Sequence, residues 1–374
     1  MAGIIADRAH ELNIETYCFA WAQGALAREH VDHFYDISIF EKEQITSICG
    51  KEGINGVVAT TELTIEVAAY IAQQLGLNGN PLEVAHRITD KYRNRNAVKQ
   101  ITDLKQPLFL EVHGMEDVDF SVLSFPVIVK PVDAGGKRGV SVAASKEELK
   151  MALNYAIQAS RGEKPTVIIE EFLEGGREYS VESLSYYGRN YIIQITQKDS
   201  SGPPHCVELG HHQPAEISEA MRKKVVRVLD EALTAIGIVN GPCHTEIKII
   251  ENEIYLIEFN ARPGGDHIAW PLTELSTGYP YITGIIQVAL DQFEAPDTEK
   301  FQKNYAGVCF VTEQTRQLKA VFDRCQEEDW CYWKNEVSQE LTSLSHNDGY
   351  NTNFFMYYSK DKKPDYLSLM GKEG

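Results

Sequence analysis

The segment Glu258-Phe-Asn260-Ala-Arg262-Pro-Gly-Gly-Asp266, with Glu246 upstream of it, constrains this chain more than any other feature. Carboxylate and amide oxygens suit magnesium, which in proteins usually lies between a few carboxylates and the phosphates of a nucleotide. The guanidinium of Arg262 offers a fixed fork of donors to phosphate oxygens, including those whose charge grows during transfer. The segment therefore predicts a metal–phosphate site at the end of a strand, and ATP as the source of the phosphate.

Apolar runs on both sides of residues 251–253 predict a β-hairpin. If these three residues form the loop, Glu246 lies directly opposite Glu258, and Asn260 shares the face of Glu258 because side chains alternate along a strand. A two-residue loop would shift the register and separate the two glutamates. The alternative is an ordinary solvated hairpin, in which the facing charges repel each other. A bound cation would relieve that repulsion, which favours the metal site.

Length and charge narrow the classes of protein to consider. The 374 residues exceed one average core, so two or three domains are expected. The formal net charge of -18 argues against nucleic-acid binding, which requires a basic face, although a local basic cluster can still bind a nucleotide. The seven cysteines are scattered without a CxxC pair, which favours reduced thiols. No signal-peptide pattern or membrane-length apolar run is present, so we expect a soluble cytoplasmic protein without a membrane partner.

The helix and strand patterns divide the chain into three parts. Residues 1–88 alternate helix and strand signals, which argues for a parallel sheet. A helix begins almost at once, where a strand and a glycine turn usually come first, so the first strand is expected to be absent and the completeness of the N-terminus stays open. Residues 89–298 carry the candidate site residues. Residues 299–374 are strand-rich and aromatic, and predict a small β-rich domain.

A glycine-rich loop follows the strand that ends in Lys130. Gly135 and Gly136 allow backbone N–H groups to approach phosphate oxygens, and Lys137 and Arg138 add positive charge. The spacing matches neither the Walker loop nor the dinucleotide fingerprint, so a plain hairpin remains the simpler interpretation of this loop alone. Lys130 is more informative, because an ammonium group at the end of an apolar strand is partly buried and requires an anionic partner. The alternative is a lysine whose ammonium group reaches solvent.

The segment Glu170-Glu171-Phe172-Leu173 predicts an extended hinge after a strand. Its backbone could offer N–H and C=O groups to the edge of a purine, with the phenyl ring and the leucine as apolar neighbours. Glu178 could accept hydrogen bonds from ribose hydroxyls. A plain strand followed by a charged turn would explain this stretch equally well if it stood alone.

Residues 199–214 contain two glycines, three prolines and three histidines, and predict a long loop. Such a loop could close over the predicted site and exclude water from it. His205 is a candidate catalytic base, and Glu208 and His211 are candidates for binding substrate, because histidine titrates near neutrality. Solvated surface histidines are the alternative.

Gly265 and Asp266 follow Arg262 and are expected to face the pocket of the acceptor substrate. The carboxylate of Asp266 could hold a substrate ammonium group. It could equally cap the next helix.

Taken in order, these residues resemble the ATP-grasp superfamily, and the resemblance covers most of the chain. Its specificity lies in the ordered set and not in any single motif. The matching positions are Lys91, Lys130, the loop at 133–140, Glu170 to Leu173, Glu178, Glu246, Glu258, Asn260 and Arg262. The resemblance implies an α/β and α+β multidomain protein with three parts. They are a Rossmann-like pre-ATP-grasp domain, a two-lobed ATP-grasp fold whose nucleotide lobe covers about 120–185, and a small C-terminal β-rich domain.

The resemblance also implies the roles of these positions. Lys91, Lys130 and the glycine-rich loop contact the phosphates of ATP, the hinge contacts adenine, and Glu178 contacts ribose. Two magnesium ions, with manganese as a substitute, bind Glu246, Glu258 and Asn260, and Arg262 with Lys137 stabilises the transferring phosphoryl group. Loops of this family often carry serines where this chain has residues 134–137, which puts hydroxyl contacts to phosphate in doubt.

The implied reaction activates a carboxylate as an acyl phosphate, which an amine or a carrier thiol then attacks, with release of ADP and phosphate. The sequence around Arg262 is most similar to the amino-acid ligase branch, which implies small-molecule substrates and a homodimer. The rivals are a carboxylase-type or carrier-loading enzyme, a phosphotransferase and a nucleotide-binding module without turnover. No Met-Lys-Met biotinylation segment is present, although a separate carrier would evade that test. The intact set of Glu246, Glu258, Asn260 and Arg262 speaks against a module that only binds.

Overall fold

Capping residues set the ends of the longest helices. In the computed structural model, which describes residues 1–135, 137–160, 164–203 and 205–371, the Ser218 hydroxyl accepts a hydrogen bond from Met221 N at 3.2 Å. That helix ends at Gly237, whose φ of 93° suits a residue without a side chain. The helices are α1 (Ala2–Glu11), α2 (Lys42–Glu52), α3 (Ile65–Leu75), α4 (Leu82–Thr89), α5 (Lys91–Ala97), α6 (Lys146–Ala159), α7 (Glu219–Ile236), α8 (Glu274–Thr277), α9 (Tyr281–Ala289) and α10 (Lys319–Arg324).

The strands form three sheets within the described residues. The first strands are β1 (Tyr17–Ala20), β2 (His33–Asp36), β3 (Leu104–Lys105), β4 (Phe109–Val112), β5 (Val127–Pro131), β6 (Ser141–Ala143) and β7 (Val167–Glu171). The later strands are β8 (Arg177–Tyr186), β9 (Arg189–Ser200), β10 (Glu208–Gln213), β11 (Gly241–Ile250), β12 (Glu253–Asn260), β13 (Tyr305–Phe310), β14 (Cys331–Asn335) and β15 (Phe354–Ser359). The sheets have the orders β1-β2, β4-β7-β5-β6 and β14-β15-β13-β10-β9-β8-β11-β12-β3.

Each of the two larger sheets is covered by one long amphipathic helix. The apolar face of α7, with Val225, Val228 and Leu229 fully buried, packs in one core with residues of β8, β11 and β12. The face of α6 that carries Leu149 and Leu153 packs in a second core with residues of β5 and β7. The two sheets therefore belong to separately packed lobes. No helix among the described residues combines the length and apolarity needed to cross a membrane.

The predicted hairpin exists as β11 and β12, but the predicted three-residue loop is wrong. Ile250 pairs with Glu253, so Glu251 and Asn252 alone form the turn. Their φ angles are 50° and 68°. Positive φ at both central residues is typical of a two-residue hairpin turn, because it matches the twist of the strands.

The two glutamates of this hairpin nevertheless face each other. The register shifts by one residue next to Glu246, where β12 contains an extra residue, and Glu246 then pairs with Glu258. The extra residue of this bulge offsets the residue missing from the loop. The prediction that a two-residue loop would separate the glutamates is therefore wrong, and the prediction that they lie opposite each other is confirmed.

The long loop predicted at residues 199–214 is also wrong in extent. Strand β9 continues to Ser200, β10 begins at Glu208, and only the residues between them connect the two strands. His211 pairs with Lys198 on one side and with Val308 on the other, so β10 is an interior strand. Its polar residues can be buried because neighbouring strands and side chains provide their hydrogen-bond partners. The surface-loop interpretation of these histidines is therefore wrong for His211.

The strands after residue 300 continue the nine-stranded sheet. β13 pairs with β10, and β15 and β14 follow it outward. The predicted C-terminal β-rich region thus shares a sheet with the part of the chain that precedes it.

The N-terminal region contains the parallel pair β1 and β2. Residues 57–59, an apolar run in the sequence, join none of the three sheets. A cavity of about 1070 Å³, lined mainly by apolar side chains, lies between β1, this segment and α9. The Rossmann-like assignment of residues 1–88 stays a prediction.

Candidate active site

A cavity of about 280 Å³ lies between the four-stranded and the nine-stranded sheet. It brings together most of the residues singled out from the sequence. Those that line it are Lys91, Lys130, Gly135, Lys137, Glu170, Glu171, Phe172, Leu173, Glu178, Glu208, Glu246, Glu258, Arg262, Gly265 and Asp266. The sequence interpretation missed other residues of the lining, among them Glu62, Cys206, His244, Lys248 and Asn347.

Four predicted residues that the structure describes lie outside this lining. Asn260 is buried two residues beyond Glu258 and outside the lining, and His211 is fully buried behind Glu208. His205 is half-buried outside the lining, with a buried Nδ1 that has no partner among the described residues. Arg138 is exposed, also outside the lining. Gly136 lies outside the described residues.

At one end of the cavity, each predicted metal carboxylate is paired with its own lysine. Lys198 Nζ lies 2.9 Å from Glu246 Oε1 and 2.6 Å from Glu208 Oε1. Lys91 Nζ lies 2.9 Å from Glu258 Oε1. Burial alone would raise the pKa of Glu246, but the charge of Lys198 outweighs it and holds that pKa well below its usual range.

The donor set at this end fits a magnesium ion that arrives with a nucleotide. Glu246 and Glu258 face each other across the hairpin, and Asn260 follows on the same strand. Two carboxylates and an amide leave coordination positions for phosphate oxygens and water, which is the usual arrangement for magnesium. Among the described residues, no group of three His, Cys, Asp or Glu side chains could hold a metal without such additional ligands.

The centre of the cavity contains a buried charge cluster that links β5, β7 and α5. Lys130 contacts Glu170, and Arg95 NH2 lies 2.6 Å from Glu170 Oε1. Burial would raise the pKa of Glu170, but Arg95 and Lys130 lower it to about 2. The predicted anionic partner of Lys130 is thus Glu170, and the carboxylate of Glu170 is engaged within the protein.

Lys248, Phe172 and Leu173 form the part of the lining where the sequence predicts the nucleotide base. Lys248 Nζ donates a hydrogen bond to the carbonyl of Leu173 and lies 5.7 Å from the centre of the Phe172 ring. Lys137 Nζ lies 4.0 Å from Glu178 Oε2. Burial opposes the charge of Lys137, but Glu178 raises the pKa of Lys137. A cation therefore borders the position predicted for ribose.

Arg262 is held by a residue from the N-terminal part of the chain. Its NH2 lies 2.7 Å from Glu62 Oε1. Burial disfavours the charged guanidinium, but Glu62 raises the pKa of Arg262. The same carboxylate lies so close to Gly135 that a side chain on Gly135 would overlap it. Glycine at this position therefore allows the glycine-rich loop to approach the Arg262–Glu62 pair.

The predicted substrate residues form a second acidic group beside Arg262. His211 Nε2 lies 2.7 Å from Glu208 Oε2, and its Nδ1 lies 2.9 Å from the carbonyl oxygen of Asp266. Burial, followed by the charge of Glu208, raises the pKa of Asp266. Lys198 and His211 already engage both oxygens of Glu208, so Asp266 is the carboxylate of this group that would favour a further cation, such as an ammonium group.

Five lysine and arginine side chains among the described residues line the cavity, although the chain as a whole has a net charge of -18. They are Lys91, Lys130, Lys137, Lys248 and Arg262. Such a cluster in a concave site attracts polyphosphate, and its guanidinium offers paired donors to phosphate oxygens. The arrangement can bind a nucleotide, hold a divalent cation at its phosphates and place a cationic substrate nearby.

Comparisons with known proteins agree with this geometry. Residues 123–270 match the family model of the ATP-grasp domain. The alanine–anticapsin ligase of Bacillus subtilis strain 168 is 28% identical over 246 residues, which cover 60% of this chain and 51% of that protein. The formate-dependent phosphoribosylglycinamide formyltransferase of Prochlorococcus marinus strain MIT 9303 is 26% identical over 256 residues, covering 64% of this chain and 61% of that protein.

A solved structure extends the likeness to nearly the whole fold. The crystal structure of an L-amino acid ligase from Bacillus licheniformis superposes with a TM-score of 0.78 at 21% identity, and covers 96% of this chain and 91% of that one. The predicted ATP-grasp fold is confirmed. The matches span about half to three fifths of the length of the two curated relatives.

Proposed function

We propose that this chain, in which residues 123–270 form an ATP-grasp domain, is an ATP- and magnesium-dependent ligase. It activates a small carboxylate as an acyl phosphate and transfers the acyl group to an amine, which yields an amide, ADP and phosphate. One observation carries the proposal. Glu246 and Glu258 face each other in the same cavity as Arg262 and the phosphate-binding lysines.

In this proposal the lysines hold the polyphosphate. Lys130 and Lys137 belong to the lobe built on the four-stranded sheet, and Lys91 lies at the start of α5. They therefore approach the phosphates from different sides. Glu246, Glu258 and Asn260 hold magnesium, which neutralises phosphate charge and orients the transferring group when it is bound. Catalysis then consists mainly of positioning and charge stabilisation.

Arg262 faces the reacting phosphoryl group in this proposal. A carboxylate is a poor acyl donor because oxide is a bad leaving group, whereas phosphate leaves readily once the carboxylate is phosphorylated. The substrate carboxylate attacks the γ-phosphorus and ADP departs, and Arg262 stabilises the charge on the transferring oxygens. The amine then attacks the acyl carbon and phosphate departs. Asp266 offers its carboxylate to the ammonium group of an amino-acid substrate.

The relatives support a small acid as the activated substrate. The ligase from Bacillus subtilis is named for alanine, and the formyltransferase from Prochlorococcus marinus is named for formate. Both of these acids carry a carboxylate. The similarity to the formate-dependent relative favours a second candidate, in which the activated acid lacks an amino group. The carboxylate of Asp266 favours an amino acid, because an acid without an ammonium group would gain nothing from it.

The test measures ADP and phosphate release with magnesium and ATP across pairs of amino acids, and with formate in place of the first acid. We expect release to depend on magnesium and on an amino acid. Dependence on formate alone would move the assignment to the second candidate. Formation of AMP and pyrophosphate would overturn the acyl-phosphate route. Nucleotide binding without turnover under all conditions would identify a binding module.

A further inference from the structure

A buried histidine connects Glu246 to a second carboxylate below the cavity. His244 precedes Glu246 by two residues on β11, and its exposed fraction is 3%. Its Nδ1 contacts Glu182 of β8, and its Nε2 lies 3.5 Å from Glu246 Oε1. The imidazole therefore lies between the carboxylate that faces the cavity and one that is wholly inside the protein.

Glu182 is fully buried and also contacts the segment that follows Arg262. Its Oε2 accepts hydrogen bonds from Gly264 N at 3.0 Å and from the Tyr281 hydroxyl at 3.1 Å. A Cβ atom on Gly264 would lie 2.6 Å from Glu182 Oε1 and 2.7 Å from His244 Nδ1. The backbone next to Arg262 thus packs directly onto the pair of Glu182 and His244.

Through these contacts, the carboxylate of Glu182 connects the candidate metal ligand Glu246 with the backbone next to Arg262. On one side, Glu182 fixes the ring of His244, whose Nε2 lies 3.5 Å from Glu246 Oε1, the oxygen that Lys198 approaches to 2.9 Å. On the other side, it fixes the backbone two residues after Arg262. Hydrogen-bond partners of metal-ligating carboxylates fix their orientation, and their loss typically costs about 10–100-fold in metal affinity or activity.

We propose that Glu182 and His244 are positioning residues that hold Glu246 in the orientation for magnesium and at a fixed separation from Arg262. This inference rests on the proposed function, because it takes Glu246 as a metal ligand. The competing explanation is a buried polar pair that only stabilises the fold. The two explanations differ in whether metal affinity changes in protein that remains folded.

Two substitutions of His244 separate its contacts. His244→Asn keeps a polar atom near the position of Nδ1, towards Glu182, and removes the atom next to Glu246. His244→Gln reaches further along the side chain and restores a donor near the position of Nε2. Ser183→Ala is the matched control, because Ser183 is also buried on β8 and its hydroxyl donates to the carbonyl of Cys243 at 3.2 Å, so the variant loses a buried hydrogen bond elsewhere.

The experiment titrates the full chain with Mn²⁺ in the presence of a nonhydrolysable ATP analogue, and measures free Mn²⁺ by electron paramagnetic resonance. Urea unfolding without metal is measured for every variant. We expect His244→Asn to weaken Mn²⁺ binding about 10–100-fold while it remains folded. We expect His244→Gln to recover part of that loss and Ser183→Ala to bind like the wild type.

Wild-type Mn²⁺ affinity in folded His244→Asn would overturn the proposal. An equal loss of affinity in Ser183→Ala would do the same, because it would show that lost packing accounts for the effect. If the wild-type chain itself bound no Mn²⁺ with the nucleotide, the proposed function would fail first, and this inference would fall with it.

Discussion

Glu246 and Glu258 lie directly opposite each other on antiparallel strands, yet each is paired with a different lysine at 2.9 Å. Lys198 reaches Glu246 from β9, and Lys91 reaches Glu258 from the start of α5. Two facing carboxylates repel each other unless cations separate them. The lysines therefore flank the two metal-ligand candidates and offset the repulsion between their carboxylates.

Replacing Glu258 by glutamine should abolish turnover without unfolding the protein. The variant keeps the shape of the side chain but removes the charge that a metal ion and Lys91 both require. We expect ADP release to fall at least about 100-fold, since metal-bound charge stabilisation is a large part of phosphoryl-transfer catalysis. The control is Glu253→Gln, at the start of the same strand and outside the cavity lining. Wild-type activity of Glu258→Gln would end the metal assignment.

Replacing Arg262 by alanine should lower kcat about 100–1,000-fold, because it removes a donor aimed at the transferring phosphoryl group. The nucleotide should still bind, since the lysines remain. Steady-state ADP release and a separate nucleotide titration distinguish the two effects. Arg227→Ala is the control, because Arg227 pairs with Asp103 and Glu231 away from the cavity. A variant that lost affinity but kept kcat would contradict the assigned role.

The opposition of Glu246 and Glu258 was predictable because apolar runs and polar turn residues identify a hairpin. The turn length and the bulge that produce this pairing were not predictable. A bulge in β12 has no sequence signature of its own, since the extra residue is an ordinary strand residue. The predicted loop is one residue longer than the real turn, and the real strand β12 contains one extra residue in its bulge. Both place Glu258 opposite Glu246. The correct pairing therefore followed from an incorrect turn.

Residues whose partners are distant in sequence were not predictable. Arg95 meets Glu170, and Arg262 meets Glu62, only after the lobes have packed. The glycines and prolines around His211 predict a loop, whereas the structure places His211 and its polar neighbours in the interior strand β10. Strand pairing on both sides buries those polar groups, and that burial is invisible in the local pattern.

Replacing Lys248 by methionine should raise the KM for ATP about tenfold and leave kcat nearly unchanged. The variant keeps the apolar stem but loses the hydrogen bond to the carbonyl of Leu173 and the cation above the Phe172 ring. Both contacts lie where the base is proposed to bind, and not among the residues proposed to hold the phosphates. Initial rates across ATP concentrations test this, with Lys224→Met on α7 as the control. An unchanged KM would remove Lys248 from the nucleotide site.

Acid stability should depend on Glu170. Arg95 and Lys130 outweigh burial and lower its pKa to about 2 from an ordinary value of 4.5. A lowered folded-state pKa stabilises the protein above the ordinary value, and this contribution is lost as the pH falls towards 2. Calorimetry should show a steeper fall in wild-type Tm between about pH 4.5 and pH 3 than in Glu170→Gln.

The matched control for Glu170 is Glu111→Gln, at an exposed position of the neighbouring strand β4. Its pH dependence should follow the wild type. Parallel pH profiles for the wild type and Glu170→Gln would show that the buried cluster does not titrate with unfolding, and would contradict this assignment.

Replacing Glu251 by glycine should stabilise the hairpin. Glu251 has a φ of 50°, which costs an ordinary side chain roughly 1 kcal/mol or more and costs glycine little. Glycine also gains freedom in the unfolded chain, so we expect a net gain of about 0.5 kcal/mol in the free energy of unfolding. Urea denaturation measures it. Glu253→Gly, within the strand, should lose stability instead, and a loss in Glu251→Gly would refute the turn geometry.

The transfer of isotopic oxygen from the acid to phosphate tests the central claim most directly. The enzyme is given ATP, magnesium and a mixture of the twenty standard amino acids labelled with ¹⁸O in their carboxylates, and the inorganic phosphate is analysed by mass spectrometry. Formation and aminolysis of an acyl phosphate transfer one labelled oxygen to each phosphate released. We predict that label in phosphate together with ADP. Unlabelled phosphate, or AMP with pyrophosphate, would contradict the proposed ligase reaction.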